Sequence, residues 1–123
     1  MKAIQPAVTQ THPPELWSVT EAKVRAAVER IVAHARPQAV ILFGSYARGV
    51  AGPNSDLDVL VIVDDSVANC RAESVRLRRE LRGISMPIDI IVARRSDVEQ
   101  LRDTPGLLYE TALLEGQVVY GRA

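Results

Sequence analysis

Two aspartates, Asp56 and Asp58, stand two positions apart at the head of an apolar run, and a third, Asp89, interrupts another. In an extended strand, side chains at i and i+2 project from the same face, so the carboxylates of Asp56 and Asp58 point the same way. Two like charges so placed repel unless a cation sits between them. Hard carboxylate oxygens suit Mg²⁺, which takes one or two carboxylates and completes its shell with substrate phosphates. Asp89 lies between Ile88 and Ile90-Ile91-Val92, where an ionised carboxylate is costly unless it is paired or bound to metal. If the Asp89 strand lies beside the Asp56/Asp58 strand, the three acids converge. Such a site would supply two-metal chemistry, one ion activating an attacking oxygen and the other steadying leaving phosphates.

Gly44-Ser45 is the second feature. It follows the apolar run Ala39-Val40-Ile41-Leu42-Phe43 directly and leads into Tyr46-Ala47-Arg48-Gly49. A glycine at a strand end lets the backbone turn tightly and approach a ligand. The Ser45 hydroxyl and the backbone amides after such a turn can hold phosphate oxygens, and Arg48 adds a charged donor. Each piece has a plainer reading. A Gly-Ser turn usually only turns, Asp56 can cap the turn after Asn54-Ser55, Asp58 and Asp89 can be solvent-facing edge acids, and Arg48 can be a surface residue. Jointly, a strand with a Gly-Ser turn, an Asp-x-Asp opening a second strand and an acid inside a third are hard to explain by structure alone.

These residues need a scaffold, and the sequence outlines one. Ser18 with Glu21 three positions on forms a capping box. Val24, Val28, Ile31 and Ala35 then recur at helical spacing, widened by Ala27 and Val32, until Pro37. Ala39–Phe43 reads as a strand buried on both faces, and 49–55, with Gly52-Pro53-Asn54, as turn chemistry. Leu57–Val63 is a second strand, 66–82 a helix closed by Gly83, and 87–93 a third strand. Ser96 with Glu99 marks a further capped helix. Residues 107–114 form a last helix, stopped by Gly116 before a short strand over 117–120. The expected architecture is one α/β (α+β) domain over 18–123, a single mixed sheet packed with helices. Residues 1–17, with Pro6, Pro13 and Pro14, read as a flexible arm that Trp17 pins to the body or to a partner.

Bulk properties narrow the function classes. The 123 residues suffice for one domain and not two. Fifteen basic residues balance fifteen acidic ones, so no general electrostatic pull favours nucleic acid, and direct nucleic-acid binding is not expected. Aromatic residues make up 4%, which leaves Val, Ile, Leu and Ala to build the core. The lone Cys70 excludes an internal disulfide and reads as a small core residue. No apolar run approaches the ~18 residues of a membrane span, and a soluble cytoplasmic protein is expected. Asp64 and Asp65 read as solvated turn acids. Arg71, Arg76, Arg78, Arg79 and Arg82, interleaved with Glu73 and Glu80, read as a solvated helix face. Tyr46 either stacks near a nucleotide base or packs.

Gly44-Ser45-Tyr46-Ala47-Arg48-Gly49, then Ser55-Asp56-Leu57-Asp58-Val59-Leu60-Val61 and Ile88-Asp89-Ile90, resembles the DNA polymerase beta-like nucleotidyltransferases. Within them it is most similar to the small, stand-alone minimal nucleotidyltransferase branch. The resemblance runs from Ser18 to the C-terminus, including the Tyr109-Glu110 to Tyr120 tail. It implies that Ser45 contacts triphosphate, that Asp56 and Asp58 bind Mg²⁺, and that Asp89 completes the metal site and helps activate an acceptor hydroxyl. It also implies that Gly44 shapes the turn and Arg48 lies near phosphate, with two Mg²⁺ ions and ATP as donor. Small members of this family commonly act as antitoxins of HEPN-domain ribonuclease toxins, adding AMP to a tyrosine. The resemblance therefore implies a HEPN-type toxin as partner. A non-catalytic binding module and one subunit of a small-molecule, aminoglycoside-type nucleotidyltransferase are the alternatives.

Overall fold

The structure is a computed structural model that describes residues 17–52 and 55–123. The expected arm therefore lies outside the described residues except for Trp17, as do Pro53 and Asn54 of the expected turn.

Helix α1 spans Glu21–Ala35. Its cap is Thr20 and not Ser18: Thr20 is extended, and its hydroxyl accepts from the Lys23 amide at 3.3 Å. Glu21 thus becomes the first helical residue, where its charge favours the positive end of the helix dipole. Arg36 ends the helix in the left-handed region at φ 47°, ahead of Pro37. The chain continues through β1 (Ala39–Phe43), the single turn α2 (Gly44–Ala47) and β2 (Leu57–Val63). Then follow α3 (Cys70–Glu80), β3 (Ile88–Arg94), α4 (Arg95–Leu101), α5 (Leu108–Glu115) and β4 (Gln117–Gly121).

The four strands form one mixed sheet in the order β3-β2-β1-β4. β1 runs antiparallel to both β2 and β4, and β2 runs parallel to β3. All five residues of β1 are buried, as are six of the seven in β2, Asp58 being the exception. Alternation divides these side chains between two cores. Val40, Leu42, Val59, Val61, Ile90 and Val92 pack under α1 and α3, meeting Ile31, Leu77 and Leu81. Ile41, Phe43, Leu60, Ile62 and Ala93 pack under α4 and α5, meeting Val98 and Ala112. Each fully buried Leu, Ile or Val contributes roughly 1.5–3 kcal/mol, so the sheet is a stiff platform.

Helix α3 starts four residues later than expected. Asp64 first closes a turn by accepting the Ser66 amide at 2.9 Å. Arg94 then takes the Val67 and Ala68 carbonyls at 2.7 and 2.6 Å, which a helix would otherwise use. Asn69 caps the helix, accepting from the Ala72 amide at 2.9 Å. Asp65 is more than a solvated turn acid, because it accepts the Ser96 amide at 2.9 Å and so caps α4, which lacks a side-chain cap of its own. Cys70 is half-buried against the first core.

Candidate active site

Asp58 and Asp89 are direct partners across the parallel pair β2–β3, flanked by Leu57 opposite Ile88 and Val59 opposite Ile90. Both therefore project from one face, that of Leu60, Ile62 and Ala93. On its other side Asp58 faces Phe43, the last residue of β1. The Gly-Ser turn that follows Phe43 thus lands on the Asp58 carboxylate. Gly44 sits at φ +78°, and a Cβ built there would overlap Asp58 Oδ2. Glycine is required twice over, for its backbone angle and for the space the carboxylate occupies.

The turn itself is closed by its own backbone. The amides of Arg48, Gly49 and Val50 donate to the carbonyls of Gly44, Tyr46 and Ser45 at 3.2, 3.0 and 3.0 Å. Ser45 is half-buried within it and Arg48 is exposed, 3.8 Å from Glu115 at the end of α5. Tyr46 packs against the first core. There it lines a cavity of about 320 Å³ with Val24, Val28, Leu42 and Val119, on the face of the sheet opposite Asp58. Packing is the reading its position supports.

Among the described residues, Asp56 makes no capping bond to the preceding turn, which includes Pro53 and Asn54 outside them. Within that turn the Ser55 hydroxyl accepts the Gly52 amide at 2.9 Å. Asp56 is exposed and borders a second cavity, of about 330 Å³, with Trp17, Arg78, Leu81, Met86 and Ile88. Trp17, 58% exposed, meets the body at that cavity.

Electrostatics tie the three acids together. Burial pushes the Asp58 carboxyl above its ordinary value, the charges of Asp89 and then Asp56 push it further, and Arg48 opposes them. Half-burial beside two like charges is a cost that a hard divalent cation would relieve. The donor set therefore fits Mg²⁺. Asp56, Asp58 and Asp89 would hold it, the fields of both Asp89 and Asp56 reaching Asp58. Among the described residues, however, no three acidic, His or Cys side chains are gathered into a closed ligand cluster. Asp89 instead lies 3.7 Å from Arg78, a residue the sequence placed on a solvated helix face. Its neighbour Arg76 matches that face only in part, pairing with Glu73 and donating to the His34 carbonyl. No sequence signal singles out Arg78 among the four arginines of α3.

Residues 27–123 match the family described as polymerase beta, nucleotidyltransferase. The chain belongs to this family. Its mixed sheet with helices on both faces is the polymerase beta-like nucleotidyltransferase fold. Among solved structures, a chain of a toxin–antitoxin complex with AMP-PNP is similar at TM-score 0.57 and 23% identity, over 85% of this chain and 75% of that one. A chain of a mutant form of the MntA–HpeT toxin–antitoxin pair is similar at TM-score 0.58 and 21% identity, over the same shares. A Sulfolobus solfataricus protein assigned to the nucleotidyltransferases gives TM-score 0.56 and 20% identity over 82% and 79%. At these identities the likeness is one of fold. A comparison with curated proteins gives no significant match. Among the described residues, no helix is long and apolar enough to cross a membrane.

Proposed function

We infer that this nucleotidyltransferase is a Mg²⁺-dependent, cytoplasmic antitoxin that transfers AMP from ATP to a tyrosine hydroxyl of a HEPN-type toxin. The observation that carries the reading is the in-register pair Asp58–Asp89 with the Gly44 backbone pressed against Asp58. Asp56, Asp58 and Asp89 would hold the cation, and Ser45 and Arg48 would take the triphosphate. Bound Mg²⁺ would supply charge neutralisation at the phosphates.

The chain's own residues do the positioning. Gly44 brings the backbone of the turn against the Asp58 carboxylate, and Ser45, next in that turn, would hold the donor phosphates beside the acids. Arg48, exposed beside Asp58, offsets phosphate charge. Asp89 sits on the outer strand of the sheet, open to an incoming hydroxyl, and receives its proton. The acceptor oxygen forms a bond to the α-phosphorus as the bond to pyrophosphate breaks, and pyrophosphate leaves. Fixed charges aimed at this developing negative charge stabilise the transition state.

A protein acceptor is supported by the surface. Val118, Val119 and Tyr120 stand exposed on the uncharged edge strand β4, and Leu114 at the end of α5 is 78% exposed. Exposed apolar side chains on an edge strand support association there. Two of the similar folds come from toxin–antitoxin complexes, one of them with AMP-PNP, which supports the same partner class and donor.

The test is incubation of the chain with Mg²⁺, α-labelled ATP and the toxin, beside an Asp56→Ala/Asp58→Ala double variant. Label on the toxin with the wild type alone is the expected result. A toxin bound and silenced but unlabelled with every triphosphate would leave a binding-only antitoxin.

A further inference from the structure

Asp89 is carried on the outer strand β3, and its carboxylate meets a cation delivered from the far face. Helix α3 packs on the opposite side of the sheet through Leu77 and Leu81, whereas Asp89 shares the face of Ile91 and Ala93. The Arg78 side chain therefore passes round the open edge of the sheet to bring its Nη2 to 3.7 Å from Asp89 Oδ1, both side chains just over half exposed. The same arginine borders the cavity lined by Asp56. Arg76, its neighbour on α3, is committed to Glu73 and the His34 carbonyl. Arg78 is directed at the acids.

We propose that Arg78 is a positioning residue, the resident counter-ion of Asp89, which yields to a divalent cation and so sets the cation concentration the site requires. This rests on the reading of Asp56, Asp58 and Asp89 as a cation site. A guanidinium and a metal ion cannot share one carboxylate freely, since they compete for its oxygens and repel each other. A buried, bidentate pair would shut the site. A half-exposed pair at 3.7 Å is weak enough to give way and still holds Asp89 against the field of Asp58 until it does.

Exposed pairs of this kind shift an equilibrium by about two- to five-fold. The probe is Mn²⁺, with the free ion measured by electron paramagnetic resonance during titration of the full chain. Wild type is compared with Arg78→Gln, Arg78→Lys, Asp89→Asn and the double variant Arg78→Gln/Asp89→Asn. The expected result is Mn²⁺ binding about two- to five-fold tighter in Arg78→Gln, little changed in Arg78→Lys, and no gain from Arg78→Gln once Asp89 is Asn. Arg78→Gln should melt like wild type, because the replaced side chain is exposed. Unchanged or weaker binding in Arg78→Gln, or a gain that survives in Asp89→Asn, overturns the proposal while leaving the cation site standing. Mn²⁺ binding that neither Asp89→Asn nor Asp56→Ala/Asp58→Ala diminishes overturns the cation site, and Arg78's role with it.

Discussion

Gly44 and Gly49 provide a controlled comparison, because both lie in the left-handed region at nearly the same angle, φ +78° and +75°. Alanine at either position suffers the same backbone penalty, about 1–2 kcal/mol. The surroundings differ. Among the described residues, a Cβ at Gly49 meets nothing within 4 Å, whereas at Gly44 it overlaps Asp58 Oδ2 and comes within 3.2 Å of Asp58 Cγ. Gly44→Ala must therefore also displace the carboxylate, an overpacking cost of about 1–3 kcal/mol. With roughly 3–6 °C of melting temperature per kcal/mol for a domain of this size, Gly49→Ala should melt about 5 °C below wild type and Gly44→Ala about 10 °C or more below.

Activity should separate the two variants further. Moving a cation-binding carboxylate by about an ångström costs about 100-fold, so Gly44→Ala should lose nucleotidyl transfer by that factor and bind Mn²⁺ more weakly. Gly49→Ala should stay within a few-fold of wild type on both counts. Calorimetric melts and label transfer at a temperature where all three proteins are folded are the assays. Equal melting losses, or a Gly44→Ala protein as active as Gly49→Ala, would refute the reasoning, because the steric difference would then have no effect.

Asp58→Asn should stabilise the metal-free protein at neutral pH while abolishing transfer. The folded carboxyl lies above its ordinary value of 3.8, so its stabilising contribution is complete below that value and is lost as pH rises through the folded one. The gain, about 1 kcal/mol or less after solvent screening, should vanish in melts below pH 3.8. Glu73 has the opposite sign, its carboxyl held below the ordinary value of 4.5 by the hydrogen bond from Arg76. Glu73→Gln should cost about 0.3–1 kcal/mol at about pH 7, and urea titrations should show the deficit closing as pH falls from 4.5 through the folded value. Gly116→Ala should cost about 1–3 kcal/mol in the same titrations. The backbone angle there is ordinary, φ −83°, but a Cβ would run into the Ala112 and Leu42 carbonyls and the Ile41 side chain.

Strands β1, β2 and β3 were legible because they are short, mostly aliphatic runs with no room for helical periodicity, and an acid inside such a run stands out. Asp58, Asp89 and the Gly-Ser turn were visible for that reason, together with the mixed sheet. Caps were less legible, because competing groups decide them locally. Thr20 displaced Ser18, and Arg94, far along the chain, removed the Val67 and Ala68 carbonyls from α3. Gly116 was read as a helix stop, yet what reserves it for glycine is the space above β1. Arg78 was hidden because its role depends on α3 passing beside the edge of β3, which no local pattern encodes.

The pairing of Asp58 with Asp89 raises a question of specificity. Strand β3 is apolar toward both faces, with Ile90 and Val92 on one side and Ile91 and Ala93 on the other. Sliding such a strand by one residue exchanges its faces without exposing apolar surface, so hydrophobic patterning constrains the register only weakly. Asp89 breaks that degeneracy. Slipped by one, its carboxylate would turn toward the side of Leu81, Met86 and the core beneath α3, where an unpaired charge costs several kcal/mol. In the observed register it emerges beside Asp58 on the open face, in reach of Arg78, and the Leu57 amide takes the Pro87 carbonyl at 2.9 Å. The acid that would bind the cation also selects, through its own solvation, the strand alignment that places it there.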